Sequence, residues 1–370
     1  MSCKWLVSLI GAWIILYLGA LYYELTLPAA INSSRPPQIV YIAPGTPFFQ
    51  VAELLKKRGL IRSSLGFTLE AYRLGAVGKI KAGEYEIDPK DPPAKIIKLL
   101  VEGRVITYFI TIPEGYNIYE IARLFEKAGL CRKEEFLSLV KDQRFLSEFG
   151  LPGPTAEGFL FPDTYAFYRG LSCRAMITKM IKRFWEVWKD FEPRAEELGL
   201  SVKEVITLAS IVEKEAVLPK ERPLIAGVFW NRLKRGMPLQ ADPTVRYATG
   251  KFYRRLRKRD LRVRHPYNTY IYSGLPPGPI CNPGKDSIRA VLYPAQTDFL
   301  YFVAKGDGSH HFSRTLKEHQ RAVDIYQRKR RLPSWKKPAE RLKVLPEKGE
   351  KGEENGSSPG KSEASDTGRD

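Results

Sequence analysis

The sequence predicts an α+β fold: one N-terminal transmembrane helix, a small α/β module, a mainly helical domain with a loop-rich, strand-containing region, and a disordered C-terminal tail. Three observations lead there. Trp5–Tyr23 is uncharged, with only Ser8, Gly11 and Gly19 interrupting apolar residues. A strand–turn–helix pattern recurs at a period of 70, so that Gly45, Val51, Ala52, Leu54, Gly59 and Leu60 match Gly115, Ile121, Ala122, Leu124, Gly129 and Leu130. Residues 130–230 then carry apolar side chains mainly at helical spacing.

The first run, at about 1.5 Å per residue, can cross a hydrocarbon core of about 30 Å. Trp5, Trp13, Tyr17, Tyr22 and Tyr23 include aromatics near both ends, where membrane interfaces favour them. Lys4 precedes the run and Glu24 follows it, which favours a cytoplasmic N-terminus with the bulk of the chain outside. Ala29 and Ala30 would suit a cleaved signal peptide, but Leu27 and Pro28 make a poor small-residue site and the run is long for a signal. Residues 1–4 are therefore read as a cytoplasmic stub and 5–23 as an uncleaved anchor. Cys3 precedes the apolar run, so it is not placed as a lipoprotein cysteine.

Residues 24–37 form a linker ending in Arg35-Pro36-Pro37, a composition that keeps a segment extended. Gln38–Ile42 reads as a strand, Pro47–Arg58 as a helix, Ala82–Ile87 as an alternating strand and Pro93–Glu102 as a helix. Residues 38–104 thus fit a small strand–helix–helix–strand module, the size of a LysM-like unit. The second copy, with strand Val105–Ile112 and helix Ile118–Lys127, opens a domain over 105–332. Within it, 236–284 is rich in Gly, Pro, Asn, Tyr and Asp, the composition of irregular loops that carry binding groups. After Pro333 large apolar residues nearly vanish, too few to offset ordering, so 333–370 is expected to be disordered.

Charge and cysteine usage narrow the function. The 370 residues carry 60 Lys plus Arg against 41 Asp plus Glu, a net +19. That excess suits nucleic acid, anionic lipid or an anionic polymer. With the bulk exported, no nucleic-acid partner is expected. The densest basic cluster spans Arg254, Arg255, Arg257, Lys258, Arg259, Arg262 and Arg264. Cys131, Cys173 and Cys281 can supply one disulfide, but their spacing does not say which. His265, His310, His311 and His319 form no His-Glu-x-x-His motif, and no Gly-x-Ser-x-Gly elbow occurs. Gly278–Lys285 mimics a phosphate loop but has five residues between its glycines and Asp286 where Ser or Thr should hold magnesium.

The run Leu208–Glu215 carries the chemistry. Val205, Ile206, Ala209, Val212 and Ala216 make an apolar helical stripe. Glu213 and Glu215 flank it about 200° apart on the wheel. A carboxyl beside an apolar face has a raised pKa and can act as a general acid near neutrality. Periodicity does not choose between the two glutamates.

Several ordered motifs accompany this run: Glu157-Gly158-Phe159-Leu160-Phe161-Pro162-Asp163-Thr164-Tyr165, Ala209–Glu215, Val228-Phe229-Trp230-Asn231-Arg232-Leu233, Met237–Val245, Tyr267-Asn268-Thr269-Tyr270, Gly274–Ile280, Asn282-Pro283-Gly284, and Tyr301–Ala304 leading into His311-Phe312. Taken together over residues 38–330, they resemble the endolytic murein transglycosylases, the YceG-like family. The resemblance implies that Glu215 is the acid/base. It also implies a nascent peptidoglycan strand as substrate, peptidoglycan synthases (penicillin-binding proteins) as candidate partners, and no metal or organic cofactor. Gln240, Asp242, Thr244, Asn268 and Tyr270 then become hydrogen-bonding candidates in the cleft, and Tyr247 and Tyr267 stacking candidates. Asp242-Pro243 and Pro276-Pro277-Gly278 are also turn signals, and Asp163 can cap a helix. Two other functions fit the same residues: a non-catalytic peptidoglycan-binding scaffold, and a muramidase-type hydrolase with a second carboxylate from Glu157, Asp163 or Asp242.

Overall fold

In the computed structural model, which describes residues 3–29 and 35–328, the apolar N-terminal run is one helix, α1 (Cys3–Thr26). Its stretch Ser8–Thr26 is long and apolar enough to cross a membrane, and no residue of it is fully buried. The helix continues into the expected linker, and its end docks on the module. Pro28 bridges Ile61, and the Tyr22 hydroxyl bonds Glu70. A Cβ on Gly66 would meet the Leu25 carbonyl oxygen at 2.3 Å, so only glycine permits that approach. The tail at 333–370 lies outside the described residues.

The module runs β1 (Gln38–Ile42), α2 (Phe48–Lys57), α3 (Ser64–Arg73), β2 (Gly83–Ile87) and α4 (Pro93–Glu102). β1 and β2 pair antiparallel, with Gln38 opposite Ile87 and Ile42 opposite Gly83. Alternation along β1 buries Val40 and Ile42 and leaves Ile39 and Tyr41 outside, as a pleated strand requires. Val51, Leu55, Phe67, Tyr85, Ile97 and Leu100 close this core.

A second, larger core begins at Ile112. Its elements are β3 (Tyr108–Thr111), α5 (Ile118–Lys127), α6 (Lys133–Leu139), α7 (Gln143–Ser147), β4 (Thr164–Phe167), α8 (Cys173–Trp188), α9 (Glu192–Glu197) and α10 (Val202–Glu215). They continue as α11 (Arg222–Lys234), α12 (Asp242–Thr249), α13 (Lys285–Leu292), β5 (Tyr301–Ala304), β6 (His310–Ser313) and α14 (Leu316–Val323). α5 starts at a capping box in which Asn117 and Glu120 bond each other's backbone N–H. β3 finds its antiparallel partner in β4, a four-residue strand too short for its alternation to stand out in the sequence. Asp163 therefore caps no helix. It opens β4, accepting the Thr164 N–H at 2.8 Å and an Arg183 Nε–H at 2.8 Å.

α10 is the axis of this core. A Ser201–Glu204 capping box starts it, and every residue from Val205 to Val212 is buried. α9, α11, α12 and α13 pack on it. Gly158, at φ +89°, lies where a Cβ would meet Pro279 Cγ at 2.4 Å and Ile206 Cγ2 at 2.9 Å. The loop at 274–282 thus lies directly on α10. The Asp242-Pro243 pair makes no simple turn but opens α12, with proline in the first turn where its missing N–H costs nothing.

A disulfide joins Cys131 to Cys173, with Cα atoms 5.5 Å apart across a separation of 42 residues, while Cys281 is buried and free. Closing a loop of that length stabilises a fold by about 3–4 kcal/mol. Thermal melts with and without reductant are expected to differ by several degrees, and a Cys131→Ala/Cys173→Ala protein should melt at the lower temperature in both.

Candidate active site

The two glutamates at the end of α10 meet different surroundings. The Glu213 side chain is 6% exposed and lies 3.2 Å from Arg222 Nη2. It also accepts the Gly284 N–H at 3.0 Å. Arg222 reaches Glu114 at 3.5 Å and Asp286 at 3.9 Å as well. Glu213 therefore clamps α10 to α11 and to the start of α13. Burial and the Glu213 charge push the Glu114 carboxyl up.

Glu215 makes no hydrogen bond or ion pair among the described residues. It is half-buried, and protein atoms crowd its carboxyl. That desolvation pushes its pKa up to about 8, the Asp242 charge adds to the rise, and Arg246 and Arg232 oppose it. At neutral pH the proton is largely retained. Arg232 is itself buried and holds the floor, donating to Leu300 O and Leu239 O at 2.7 Å each. Its burial lowers its own pKa.

The remaining site candidates divide into wall and lining. Asp242 is exposed and accepts the Tyr270 hydroxyl at 2.7 Å. Burial first, then Asp242, pushes the Tyr270 phenol up. Gln240 has an exposed side chain and is the one non-glycine residue with positive φ (49°) among the described residues. Its N–H is fixed by Thr269 O at 3.0 Å. Strain of this kind persists only where surroundings enforce it, commonly at functional sites. The Tyr247 and Tyr267 rings, both half-buried, lie 5.0 Å apart at 42°. Thr244 and Asn268 are fully buried. The Thr244 hydroxyl bonds Ala241 O at 2.7 Å and the Thr269 hydroxyl at 2.9 Å. The Asn268 amide bonds Leu261 O, Val263 O and the Tyr270 N–H. These two hold the loops from within and present no polar atom to the cleft.

Of the three candidate second carboxylates, only Asp242 neighbours Glu215. Asp163 pairs with Arg183. Glu157 is 1% exposed, with Ile118 N 3.2 Å from each of its oxygens, Asn282 Nδ2 at 3.3 Å, and a hydrogen bond to Tyr247. Burial pushes its pKa up to about 8. A carboxyl raised in the folded state gives stability that is full below its unfolded value near 4.5 and lost as pH rises through about 8. Urea midpoints are expected to fall across that window, and Glu157→Gln should flatten the fall by up to about 1.4 kcal/mol per pH unit. An unchanged slope would remove Glu157 from this account.

Sequence reasoning missed Arg246, whose i, i+4 spacing from Asp242 on α12 was the available signal. It placed Asn282 within a motif but gave it no role; Asn282 bonds the Leu160 N–H, Tyr116 O and Glu157 and so ties its own motif to the Glu157–Tyr165 motif and to the residue before α5's cap. Cys131, Glu135 and Cys173 cluster closely enough to suggest metal ligands, but the two sulfurs are joined in the disulfide.

Comparison with known proteins places this geometry. A model of the YceG-like family matches residues 40–325. A Bacillus subtilis (strain 168) protein named endolytic murein transglycosylase is 34% identical over 322 residues, covering 83% of this chain and 89% of its own. A protein of the same name from Streptococcus pneumoniae serotype 2 (strain D39 / NCTC 7466) is 30% identical over an alignment of 340 residues, covering 83% of this chain and 61% of its own. The crystal structure of a yceG-like protein from Listeria monocytogenes, 33% identical, superposes with a TM-score of 0.55 over 78% of this chain and 100% of its own.

Proposed function

The chain belongs to the YceG-like family, and we propose that it is a membrane-anchored endolytic lytic transglycosylase cutting nascent peptidoglycan strands between MurNAc and GlcNAc. The observation that carries this is Glu215: half-buried at the end of α10, without a hydrogen bond or ion pair among the described residues, and with its pKa pushed up to about 8 by burial. In its acid form Glu215 gives its proton to the glycosidic oxygen, which leaves as the GlcNAc hydroxyl. The resulting carboxylate takes the proton of the muramic primary hydroxyl as that oxygen attacks the anomeric carbon. No water is consumed, and a 1,6-anhydro-MurNAc end forms. The nucleophile is tethered to its target, so its entropy cost is already met. Asp242 is placed to favour positive charge developing on the sugar ring. Gln240, Tyr270 and the faces of Tyr247 and Tyr267 line the strand's path. Incubation of the full-length protein with uncrosslinked strands, followed by mass spectrometry, tests this reading.

Asp242 beside Glu215 also gives the hydrolase reading its one specific support, since a second carboxylate could activate water. A purely scaffolding protein would show no turnover. The paired strands and intervening helices of residues 38–87 support a LysM-like, glycan-binding role for the module, which would hold the strand near synthases so that cutting ends elongation.

For location, α1 supports a single-pass anchor, and its docked end at Leu25 and Pro28 supports retention. The disulfide fits an oxidising compartment outside the membrane. Protease added to spheroplasts is expected to digest the bulk of the chain. Protection of that bulk while outer-face controls are cut would reverse the orientation.

A further inference from the structure

Residues 254–264 carry six arginines and a lysine, and the chemistry above uses none of them. All seven are exposed, and none makes an ion pair with a carboxylate among the described residues. The segment is nonetheless built. Its one acid, Asp260, is turned inward at 3% exposure. There it meets Lys251 Nζ at 2.6 Å and the Arg257 N–H at 2.8 Å. The Asn268 amide holds Leu261 O and Val263 O. At the near end, the Phe252 ring lies 5.9 Å from Tyr119 and 6.3 Å from Tyr247. The fold thus neutralises its internal acid and leaves seven like charges exposed along one short segment. Such a concentration repels itself until an anion binds.

Its place relative to the cleft is fixed by Arg246. That guanidinium donates to Arg254 O at 2.5 Å and acts on the charge of Glu215. α12, eight residues and so about 12 Å long, runs from Asp242 at the acid to the start of this loop. The Tyr247 and Tyr267 faces lie along the way. A strand lying over Glu215 and those rings would carry its substituents onto the basic surface.

We propose that this loop is an anion subsite for the free carboxylates of the peptide stems that a nascent glycan strand carries. The inference rests on the proposed activity and adds a substrate preference: strands with stems over bare glycan. An anionic lipid surface offers the charge too, but α1 docks on α3 of the module, whereas this loop follows α12 and is tied to it by Arg246.

The test compares uncrosslinked strands with intact stems against the same strands stripped by an amidase, using full-length protein in nanodiscs. The wild type is expected to prefer stem-bearing strands in kcat/KM by about tenfold or more at low salt, and less at high salt. The variant Arg254→Gln/Arg255→Gln/Arg257→Gln/Lys258→Gln leaves Lys251, Asp260 and the Arg254 carbonyl in place. Its preference should fall to about one through a lower rate on stem-bearing strands, with an unchanged melting temperature. Equal loss on both strands, or a wild type indifferent to stems, overturns the proposal. So does a loss seen only in anionic and not in zwitterionic nanodiscs, which would give the loop to lipid. Pull-down of both strands by Glu215→Gln protein reads the subsite without turnover. Stem-dependent pull-down by Glu215→Gln beside a wild type that cuts nothing would sink the proposed activity and keep the subsite, while stem-independent pull-down would sink the subsite alone.

Discussion

Glu215→Gln is expected to keep the fold and lower strand cleavage by about 10²–10⁴-fold, the range for removing a general acid–base group. The upper part of that range applies here, because one side chain both protonates the leaving oxygen and deprotonates the attacking hydroxyl. Glutamine keeps the size of the side chain, and no partner of Glu215 is lost. Glu213→Gln should behave in the opposite way. It breaks a nearly buried ion pair with Arg222 at 3.2 Å, a change that costs about 3–5 kcal/mol. The lower end is expected, since Arg222 retains Glu114 and Asp286 and glutamine can still accept the Gly284 N–H. Turnover below its melting temperature should persist. Paired thermal melts and turnover assays separate the two variants. A folded, inactive Glu213→Gln beside an active Glu215→Gln would exchange their roles.

Anhydro-muramic ends should dominate the products, without added metal and unaffected by chelator. A retaining hydrolase needs two carboxyl groups about 5 Å apart and an inverting one about 6.5–9.5 Å apart, and Asp242 is the only candidate whose charge acts on Glu215. Asp242→Asn therefore separates the mechanisms. For a hydrolase it would remove the nucleophile or base and stop turnover. For a transglycosylase, turnover with anhydro ends should continue, with a changed pH profile. Glu215 must start protonated, so kcat/KM should fall as pH rises through about 8. The Asp242 charge raises the Glu215 pKa, so neutralising it should move that alkaline limb to lower pH. Reducing muramic ends as the main product would establish the hydrolase instead. A limb that moves upward would mean that Asp242 is not acting on Glu215.

Much of this protein was legible because it is local. The apolar run became α1. Alternation located β1 and β2, and periodicity with its caps located α2, α4 and α5 within one or two residues. Those signals arise between residues a few positions apart, so they exist in the chain before it folds. The ordered motifs also contained Asp242 and Gly284, which meet the two glutamates at the end of α10. β4 escaped because four residues carry too little pattern, and α12 because its Asp-Pro start also signals a turn.

The sequence by itself determined the helix that bears both glutamates, their opposed directions and the composition of the loops around them. Tertiary structure alone decided which glutamate is open. Glu213 is closed by the Gly284 N–H, 71 residues away, and Glu215 is left unpaired beside α12. It alone placed Asp242 next to the acid, sent Glu157 and Asp163 elsewhere, buried Thr244 and Asn268, and joined Cys131 to Cys173. Each of these outcomes depends on burial and on partners distant in the chain. A carboxyl's proton affinity follows from the dielectric and the charges that surround it after folding, and no spacing of neighbours along the sequence encodes those.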